Sequence, residues 1–196
     1  MKRRFEMKKT IAYFEETGPR NTEETIKLVK ERAAELGIRD IVVASSHGGT
    51  GLKVAEAFND PKVNIVAVTI CESYRDQGWT MTEKERQKVL AKGIKVLTGI
   101  HALGDDVGSA FTEKFGGPTV DEAVRETLYR FCQGMKVAVE IVLMAADAGL
   151  IPVDREVIAI AGTDRGADTA IVVKPSYPRK FFDMKILEVI AKPREG

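Results

Sequence analysis

The sequence predicts an α/β protein in which helices cover both faces of a mostly parallel sheet, which is a three-layer α/β/α sandwich. Four short apolar runs alternate with helical segments: IVVA (41–44), NIVAVTI (64–70), KVLTG (95–99) and EVIAIAG (156–162). Their apolar residues are continuous instead of alternating, which is typical of strands that are covered on both faces. Strands joined by helices pair in parallel through right-handed crossovers.

A fifth core strand, TAIVVKP (169–175), is predicted to run antiparallel to the fourth. Only the residues TDRGAD (163–168) separate the two runs. A parallel crossover takes about a dozen residues or more, so this connection must be a hairpin. TIAYF (10–14) is expected to form a short first strand, and MKILEVIA (184–191) a further strand at an edge of the sheet.

Capping residues mark the predicted helices between these strands. The first helix begins at Asn21 or Thr22, carries acidic residues in its first turn and ends at Gly37. The second is expected from about Gly51 to Phe58. The third covers 82–92, and its Thr and Glu three residues apart at the start have the spacing of a capping box.

The stretch from His101 to Pro118 is rich in glycine and has no steady period, so it is expected to be a long functional or mobile loop. A capping box at Thr119 then opens a helix that continues to Gly149, with a break expected at Gly134. The second half of this helix is apolar almost all round. It must therefore be covered by the sheet of its own chain or by a neighbouring subunit.

Composition excludes several classes of protein. A chain of 196 residues with 44% hydrophobic content can bury a substantial core and is expected to form one domain over 1–196. The 30 basic and 29 acidic residues nearly cancel, so neither nucleic acid nor an anionic membrane is an expected partner. The most apolar segment, 137–153, is shorter than the ~20 residues that span a bilayer. The basic start, MKRRFEMKK, does not resemble a signal peptide, and two cysteines suit a cytoplasmic protein.

Polar residues follow the core strands at the edge of the sheet where ligands are expected. In parallel sheets ligands bind beyond the carboxyl ends of the strands, where the winding direction reverses. In strand order, the residues predicted there are Ser45, Ser46, His47, Gly48, Gly49, Thr50 and Gly51; Cys71, Glu72 and Ser73; Thr98, Gly99 and His101; and Thr163, Asp164 and Arg165.

The loop SSHGGTG (45–51) predicts a phosphate site. Glycines let the backbone approach an anion, while hydroxyls and the free amides of a helix start donate hydrogen bonds to phosphate oxygens. The loop lacks the Gly-Lys-Ser/Thr ending of a Walker A motif and is not a GxGxxG fingerprint, which disfavours ATP hydrolysis and dinucleotide binding. The alternative is a tight strand-to-helix turn whose Ser and Thr only cap the helix.

The sequence contains two histidines, His47 and His101, and both are predicted at this edge. With Asp105 or Asp106 they could bind a metal, and with Cys71 they could form a thiol and base. The favoured interpretation is that they form hydrogen bonds and orient a ligand, so no metal is expected. Cys132 is expected to be a packing residue.

Two further loops are weaker candidates for the same site. In TDRGAD (163–168), Arg165 could pair with a phosphate and Asp164 could accept from a sugar hydroxyl, although a plain hairpin with a surface ion pair would use the same residues. The segment 17–22 is another helix start, with Arg20 beside it. Aromatic residues in or near loops could stack on a planar ring or close the rim of the core; they are Tyr74, Trp79, Tyr177, Phe181 and Phe182.

The order of elements over about 21–175 resembles the carboxy-terminal α/β domain of pyruvate kinase, most of all in IAGTDRGADTAIVV. In many pyruvate kinases this domain holds a phosphorylated sugar regulator through a Ser/Thr-rich loop after its first strand, and 45–51 occupy the matching position. The catalytic barrel and its ligands do not occur in this sequence. The resemblance therefore does not imply pyruvate kinase activity.

The segments YFEETGPRNTEET, VVASSHGGTG and AGTDRGADTAIVV resemble more closely a family of stand-alone archaeal proteins that are associated with flavin mononucleotide (FMN). This resemblance implies a phosphate on 45–51, with His101 and 163–165 near the ribityl chain or the ring. The expected function is binding of a phosphorylated small molecule, FMN above all, by a chain that could form homo-oligomers. The alternatives are a regulatory or assembly module that senses a phosphometabolite, and a small hydrolase or transferase built on Cys71 and a histidine.

Overall fold

A computed structural model describes residues 8–196, and within them seven strands form one sheet in the order β1-β7-β6-β5-β2-β3-β4. The strands are β1 (Ala12–Phe14), β2 (Asp40–Ala44), β3 (Asn64–Val68), β4 (Lys95–Leu97), β5 (Val157–Ala161), β6 (Thr169–Lys174) and β7 (Lys185–Pro193). The helices are α1 (Thr22–Leu36), α2 (Gly49–Phe58), α3 (Glu83–Leu90), α4 (Val107–Phe115), α5 (Val120–Tyr129) and α6 (Gln133–Asp147).

The α/β class and the three-layer arrangement are confirmed. The strands β2, β3 and β4 are parallel neighbours, and β5 lies parallel to β2 on its other side. As the short connection predicts, β6 runs antiparallel to β5, with Ala159 opposite Ile171. The winding direction therefore reverses between β2 and β5, which is where a ligand site is expected.

Each face of the sheet carries its own core because side chains alternate along the strands. Ile41 and Val43 of β2 point to the layer of α1, α2 and α3, whereas Val42 points to α6. Most residues of α6 are buried within this chain, so its apolar surface is covered by its own sheet and by α5. The apolar character of α6 is thus explained without a second subunit.

Two expectations about elements were wrong. The last strand, β7, is not at an edge: it pairs with β6 on one side and with β1 on the other, and β1 forms the edge. The stretch 101–118 is not loop throughout, because α4 occupies 107–115 with Asp106 as its N-cap. No side chain of α4 is buried, so this helix does not have the wide apolar face by which helices that pack on a core are usually predicted. The expected break before α6 lies at 130–132, just ahead of Gly134.

Among residues 8–196, none of the helices is long and apolar enough to cross a membrane. The basic start, MKRRFEMKK, was compared with a signal peptide. Its residues 1–7 lie outside the described residues. A cytoplasmic location and a single domain over the whole chain stay predictions.

Candidate functional site

A cavity of about 770 Å³ opens at the carboxyl ends of β2, β3 and β5, at the point where the winding reverses. Its floor is formed by Ala44, Val68 and Ile70, which lie at or just beyond strand ends. The first turn of α2 and the amino-terminal half of α6 form two of its walls. Because helix starts carry partial positive charge, both walls favour an anion in this cavity.

A second cavity of about 800 Å³ lies at the opposite, amino edge of the sheet. It borders the carboxyl end of α1 at Leu36 and Gly37, where carbonyl dipoles repel anions. Acidic and basic side chains are mixed on its surface, among them Asp40, Lys62 and Arg155. Neither volume nor side-chain charge separates the two cavities, since both linings mix acidic and basic groups; the helix ends are what favour the carboxyl edge as the anion site.

The predicted phosphate loop combines structural and open positions. Ser45 is buried, and its hydroxyl accepts a hydrogen bond from the amide of Gly51 at 3.1 Å, while its carbonyl accepts from Gly48 at 3.2 Å. Two of the loop amides are thus already used by the protein. The capping alternative therefore accounts for Ser45, Gly48 and Gly51.

Three glycines of this loop have three different roles. Gly48 has a φ of +82°, and a Cβ there would come closer to Val89 than the 3.0 Å that real Cβ contacts keep. Gly51 faces Ala67 of β3, where a Cβ would make an ordinary contact at 3.4 Å. Gly49 has no atom within 4 Å of where its Cβ would be, and it lines the cavity. Only Gly49 is therefore open to an approaching ligand.

Four loop amides remain available to a ligand. In residues 8–196, no protein acceptor takes a hydrogen bond from the amides of Ser46, His47, Gly49 or Thr50. All four residues line the cavity. Unpaired amides at a helix start are the groups that hold phosphate oxygens in many proteins.

The two histidines border the same cavity but belong to different networks. His47 is half exposed, and its Nδ1 lies 3.3 Å from the carboxylate of Glu85. His101 is mostly buried and its Nδ1 lies 2.6 Å from Asp105. Of the partners considered from the sequence, Asp105 joins His101, whereas Asp106 caps α4 through Ser109.

Asp105 is held from both carboxylate oxygens. Its Oδ2 faces His101, and its Oδ1 accepts from the hydroxyl of Tyr74 at 2.6 Å. The hydrogen bond from His101 lowers the pKa of Asp105 to about 2. The hydrogen bond to Asp105 in turn raises the pKa of Tyr74 to about 12, because deprotonation would lose it. This wall of the cavity therefore holds a carboxylate and a neutral phenol near neutral pH.

Sequence reasoning missed Lys136 and Glu140, which line the cavity from α6. Their side chains are 9% and 4% exposed, and Lys136 Nζ lies 2.7 Å from Glu140 Oε2. The other oxygen of Glu140 accepts from the amide of Leu103 at 3.0 Å. The available signal was a Lys and a Glu four residues apart in an otherwise apolar helix. The buried cation beside the cavity is therefore balanced by the Glu140 carboxylate, and the pair adds no net charge to the site.

The loop 162–168 forms a further wall, and Asp164 and Arg165 line the cavity with highly exposed side chains. Asp168 is fully buried and structural, because its carboxylate accepts from the amides of Gly18 and Thr163. The loop is therefore fixed to the segment before α1. Arg20 of that segment pairs with Glu16 at the surface. The segment 17–22 therefore supports the loop 162–168 and does not line the cavity.

Eight predicted residues lie outside the cavity lining: Gly48, Gly51, Cys71, Glu72, Ser73, Thr98, Gly99 and Thr163. The hydroxyl of Thr98 accepts from Arg86 at 2.8 Å and bonds to Thr69, which does line the cavity. Thr163 nonetheless has a buried hydroxyl without a hydrogen-bond partner among the described residues.

Aromatic side chains form the remaining boundary. Tyr74 and Trp79 are stacked with their ring centroids 5.2 Å apart, and both line the cavity. Tyr129, at the end of α5, was not considered from the sequence and lines it too. Of the other predicted aromatics, Tyr177, Phe181 and Phe182 are not among its lining residues. Cys132 is buried and caps α6 by accepting from the amide of Met135.

The family model of the pyruvate kinase alpha/beta domain matches residues 23–173. This match includes the phosphate loop, both histidines and the hairpin from β5 to β6. It agrees with the range of about 21–175 over which the sequence resembles that domain. By this match and by its fold, the chain belongs to the pyruvate kinase alpha/beta-domain family.

Proposed function

We propose that this protein binds a phosphorylated small molecule in the carboxyl-edge cavity, and that flavin mononucleotide is the ligand. The observation that carries the proposal is the set of unpaired amides at the start of α2, above all those of Gly49 and Thr50, on the surface of a cavity large enough for such a molecule. Ligand pockets commonly measure about 300–1,000 Å³.

The phosphate would rest at the start of α2. Gly49 leaves room for an anion to reach the backbone, and α2 adds its dipole. Arg165 lines the same cavity with a largely free guanidinium that could pair with phosphate oxygens. Lys136 also lines the cavity, but its charge is balanced by Glu140, so the phosphate contacts rest on the α2 start and Arg165.

The ring would lie toward the aromatic side of the cavity. Tyr74, Trp79 and Tyr129 offer planar surfaces on which an isoalloxazine can stack. The choice of FMN over other phosphorylated ligands rests on the resemblance of VVASSHGGTG and AGTDRGADTAIVV to stand-alone, flavin-associated archaeal members of the family. The binding chemistry alone would suit other phosphate esters with a planar group.

One observation favours the regulatory or assembly module as a second candidate. Val107, Phe111 and Phe115 on α4 are 72%, 59% and 70% exposed, and their spacing of four residues places them on one face of the helix. Contacts between subunits could cover such a face. Under this candidate, a sugar phosphate would change the sedimentation coefficient of colourless protein.

The test is the absorbance spectrum of the purified protein, followed by mass spectrometry of what it releases on denaturation. A flavin spectrum and the mass of FMN are expected. Gly49→Asp should abolish binding, because it places a carboxylate where the phosphate would lie and has room to fold. Ser46→Asp should weaken binding for the same electrostatic reason.

Asn59→Asp provides a matched control, since it adds the same charge at the exposed carboxyl end of α2. This variant should bind FMN as the unmodified protein does. Folded Gly49→Asp protein that still binds FMN with unchanged affinity would refute the phosphate placement. Protein that carries no flavin and takes up none from micromolar FMN would refute the proposal that FMN is the ligand.

A further inference from the structure

We propose that Cys71, His101 and Asp105 form a binding site for one divalent, zinc-type metal ion on the wall of the carboxyl-edge cavity. One ligand atom from each of the three residues lies within 4.8 Å of the other two. In the part of the chain that the structure describes, 8–196, no other group of three such side chains converges in this way. His47, which sequence analysis also considered, is not a member of the group.

The fold brings these residues together from two loops. Cys71 follows β3 and begins the 3-10 helix of 72–77, while His101 and Asp105 belong to the loop after β4. Because β3 and β4 are parallel neighbours, their carboxyl ends lie side by side. The cluster is thus fixed by the sheet and not by proximity in sequence.

The ligand types indicate the metal. A thiolate, an imidazole and a carboxylate are the donors that zinc accepts, whereas magnesium and calcium require oxygen ligands. The thiolate and the carboxylate together would balance the two positive charges of the ion. Three protein ligands leave one tetrahedral position for water, which is the pattern of reactive rather than structural zinc sites. His101 and Asp105 both line the cavity, so the proposed ion would be reached from the cavity.

The distances suit an ion after shifts of up to about 1.5 Å, because atoms of the group that lie up to 4.8 Å apart would have to close and one pair would have to open. Two ligand atoms on a tetrahedral zinc ion lie roughly 3.3 Å apart. The 2.6 Å separation of His101 Nδ1 and Asp105 Oδ2 would need to open by less than about 1 Å if those two atoms bind the metal. Tyr74 holds Oδ1 of Asp105 and leaves Oδ2 for the ion, as supporting residues do at metal sites.

The same residues resemble a Cys-His-Asp nucleophilic triad, but burial favours the metal. Cys71 is 4% exposed and is not among the residues that line the cavity, so an electrophilic substrate could not reach its sulfur. The structure contains no hydrogen bond between Cys71 and His101, which a thiol and its base require. A metal ion has to contact only the side of the Cys71 sulfur that faces His101 and Asp105.

Titration of chelator-treated protein with Zn²⁺ or Co²⁺ alone, without added flavin, tests the site. Calorimetry should give one ion per chain, and Co²⁺ should produce the charge-transfer absorption of a cobalt–thiolate bond. Cys71→Ser should abolish that absorption. His101→Gln and Asp105→Asn should each weaken Zn²⁺ binding at least about tenfold.

Cys132→Ser and His47→Gln are the matched controls, because each removes the same chemical group from outside the cluster. Both should retain stoichiometric binding and, for Co²⁺, the thiolate absorption. Circular dichroism of every variant establishes that it is folded. Absence of one-to-one binding to folded wild-type protein would overturn the proposal, as would binding that neither Cys71→Ser nor His101→Gln weakens. The outcome is independent of whether the chain binds FMN.

Discussion

At the scale of single residues, Asp105 shows how an unremarkable carboxylate in a glycine-rich stretch becomes part of a defined network. Its neighbours in sequence do not reveal Tyr74, which lies 31 positions away and donates to its Oδ1. His101, four positions away, could be paired with it from the sequence. Half of this network was therefore accessible to sequence reasoning, and the other half depends on the fold.

The lowered pKa of Asp105 predicts a pH-dependent contribution to stability in metal-free protein. A carboxyl whose folded pKa is depressed stabilises the fold above its unfolded pKa of about 4 and loses that contribution as pH falls toward about 2. Asp105→Asn should therefore reduce the free energy of unfolding by about 1 kcal/mol at pH 7, after allowance for solvent screening.

Urea unfolding of both proteins at several pH values, with chelator present, measures this difference. It should be constant above about pH 5 and shrink toward zero near pH 2. Asp164→Asn is the control, because that carboxylate is largely exposed. A difference that persists unchanged at pH 2 would show that charge on Asp105 does not stabilise the fold.

At the scale of elements, the start of α2 combines folding and binding in adjacent residues. Gly48 must adopt positive φ and must lie against Val89 of α3, whereas Gly49 meets nothing. From the sequence, the glycines of SSHGGTG all appeared as phosphate-binding positions. Their roles diverge because the contact of Gly48 with Val89 and the packing of α2 on β3 decide which Cα faces protein and which faces the cavity.

Alanine at these two glycines should therefore have different effects. Gly48→Ala is expected to lower the free energy of unfolding by about 2–3 kcal/mol, through left-handed strain and a clash with Val89. Gly49→Ala should leave stability within about 0.5 kcal/mol of the original or raise it. Chemical denaturation measures both, and equal losses in the two variants would contradict the assigned roles.

The helix α4 shows where element prediction failed. Glycines precede, interrupt and follow it, so composition did not indicate a helix, and its apolar residues are exposed in the fold. The local signals were the cap by Asp106, which accepts from the amide of Ser109, and the four-residue spacing of Val107, Phe111 and Phe115. By contrast, the capping boxes at Thr82 and Thr119 were recognised in the sequence and are present.

At the scale of the whole molecule, the two edges of the sheet have separate roles. The carboxyl edge gathers glycine loops and helix starts, whereas the amino edge holds a network around Asp40. Asp40 has a side chain that is 6% exposed, and it accepts from Asn64 at 2.8 Å and from Arg155 at 3.0 Å. The central strands separate the two sites, so a substitution at the amino edge should not change ligand affinity at the carboxyl edge.

Arg155→Ala tests this independence. It removes one partner from the buried Asp40 carboxylate and should cost about 1 kcal/mol of unfolding free energy. The affinity for FMN should stay within about twofold of the original, as measured by fluorescence titration. A large loss of FMN affinity would instead locate the ligand in the amino-edge cavity.

The sequence by itself determined the class of fold, the order of the core strands along the chain, the antiparallel fifth strand and the loops that reach the carboxyl edge. These features follow from local causes: continuous apolar runs, capping residues and a connection too short for a crossover. Such causes act over a few residues and are visible in a single chain segment.

Only the tertiary structure decided which of those residues meet. It placed β7 between β6 and β1, brought Lys136 and Glu140 to the cavity, and joined Cys71 to His101 and Asp105. The physical reason is that side-chain neighbours across a sheet depend on strand order and on helix packing. These are set by the burial of the whole core and not by the identity of any one segment.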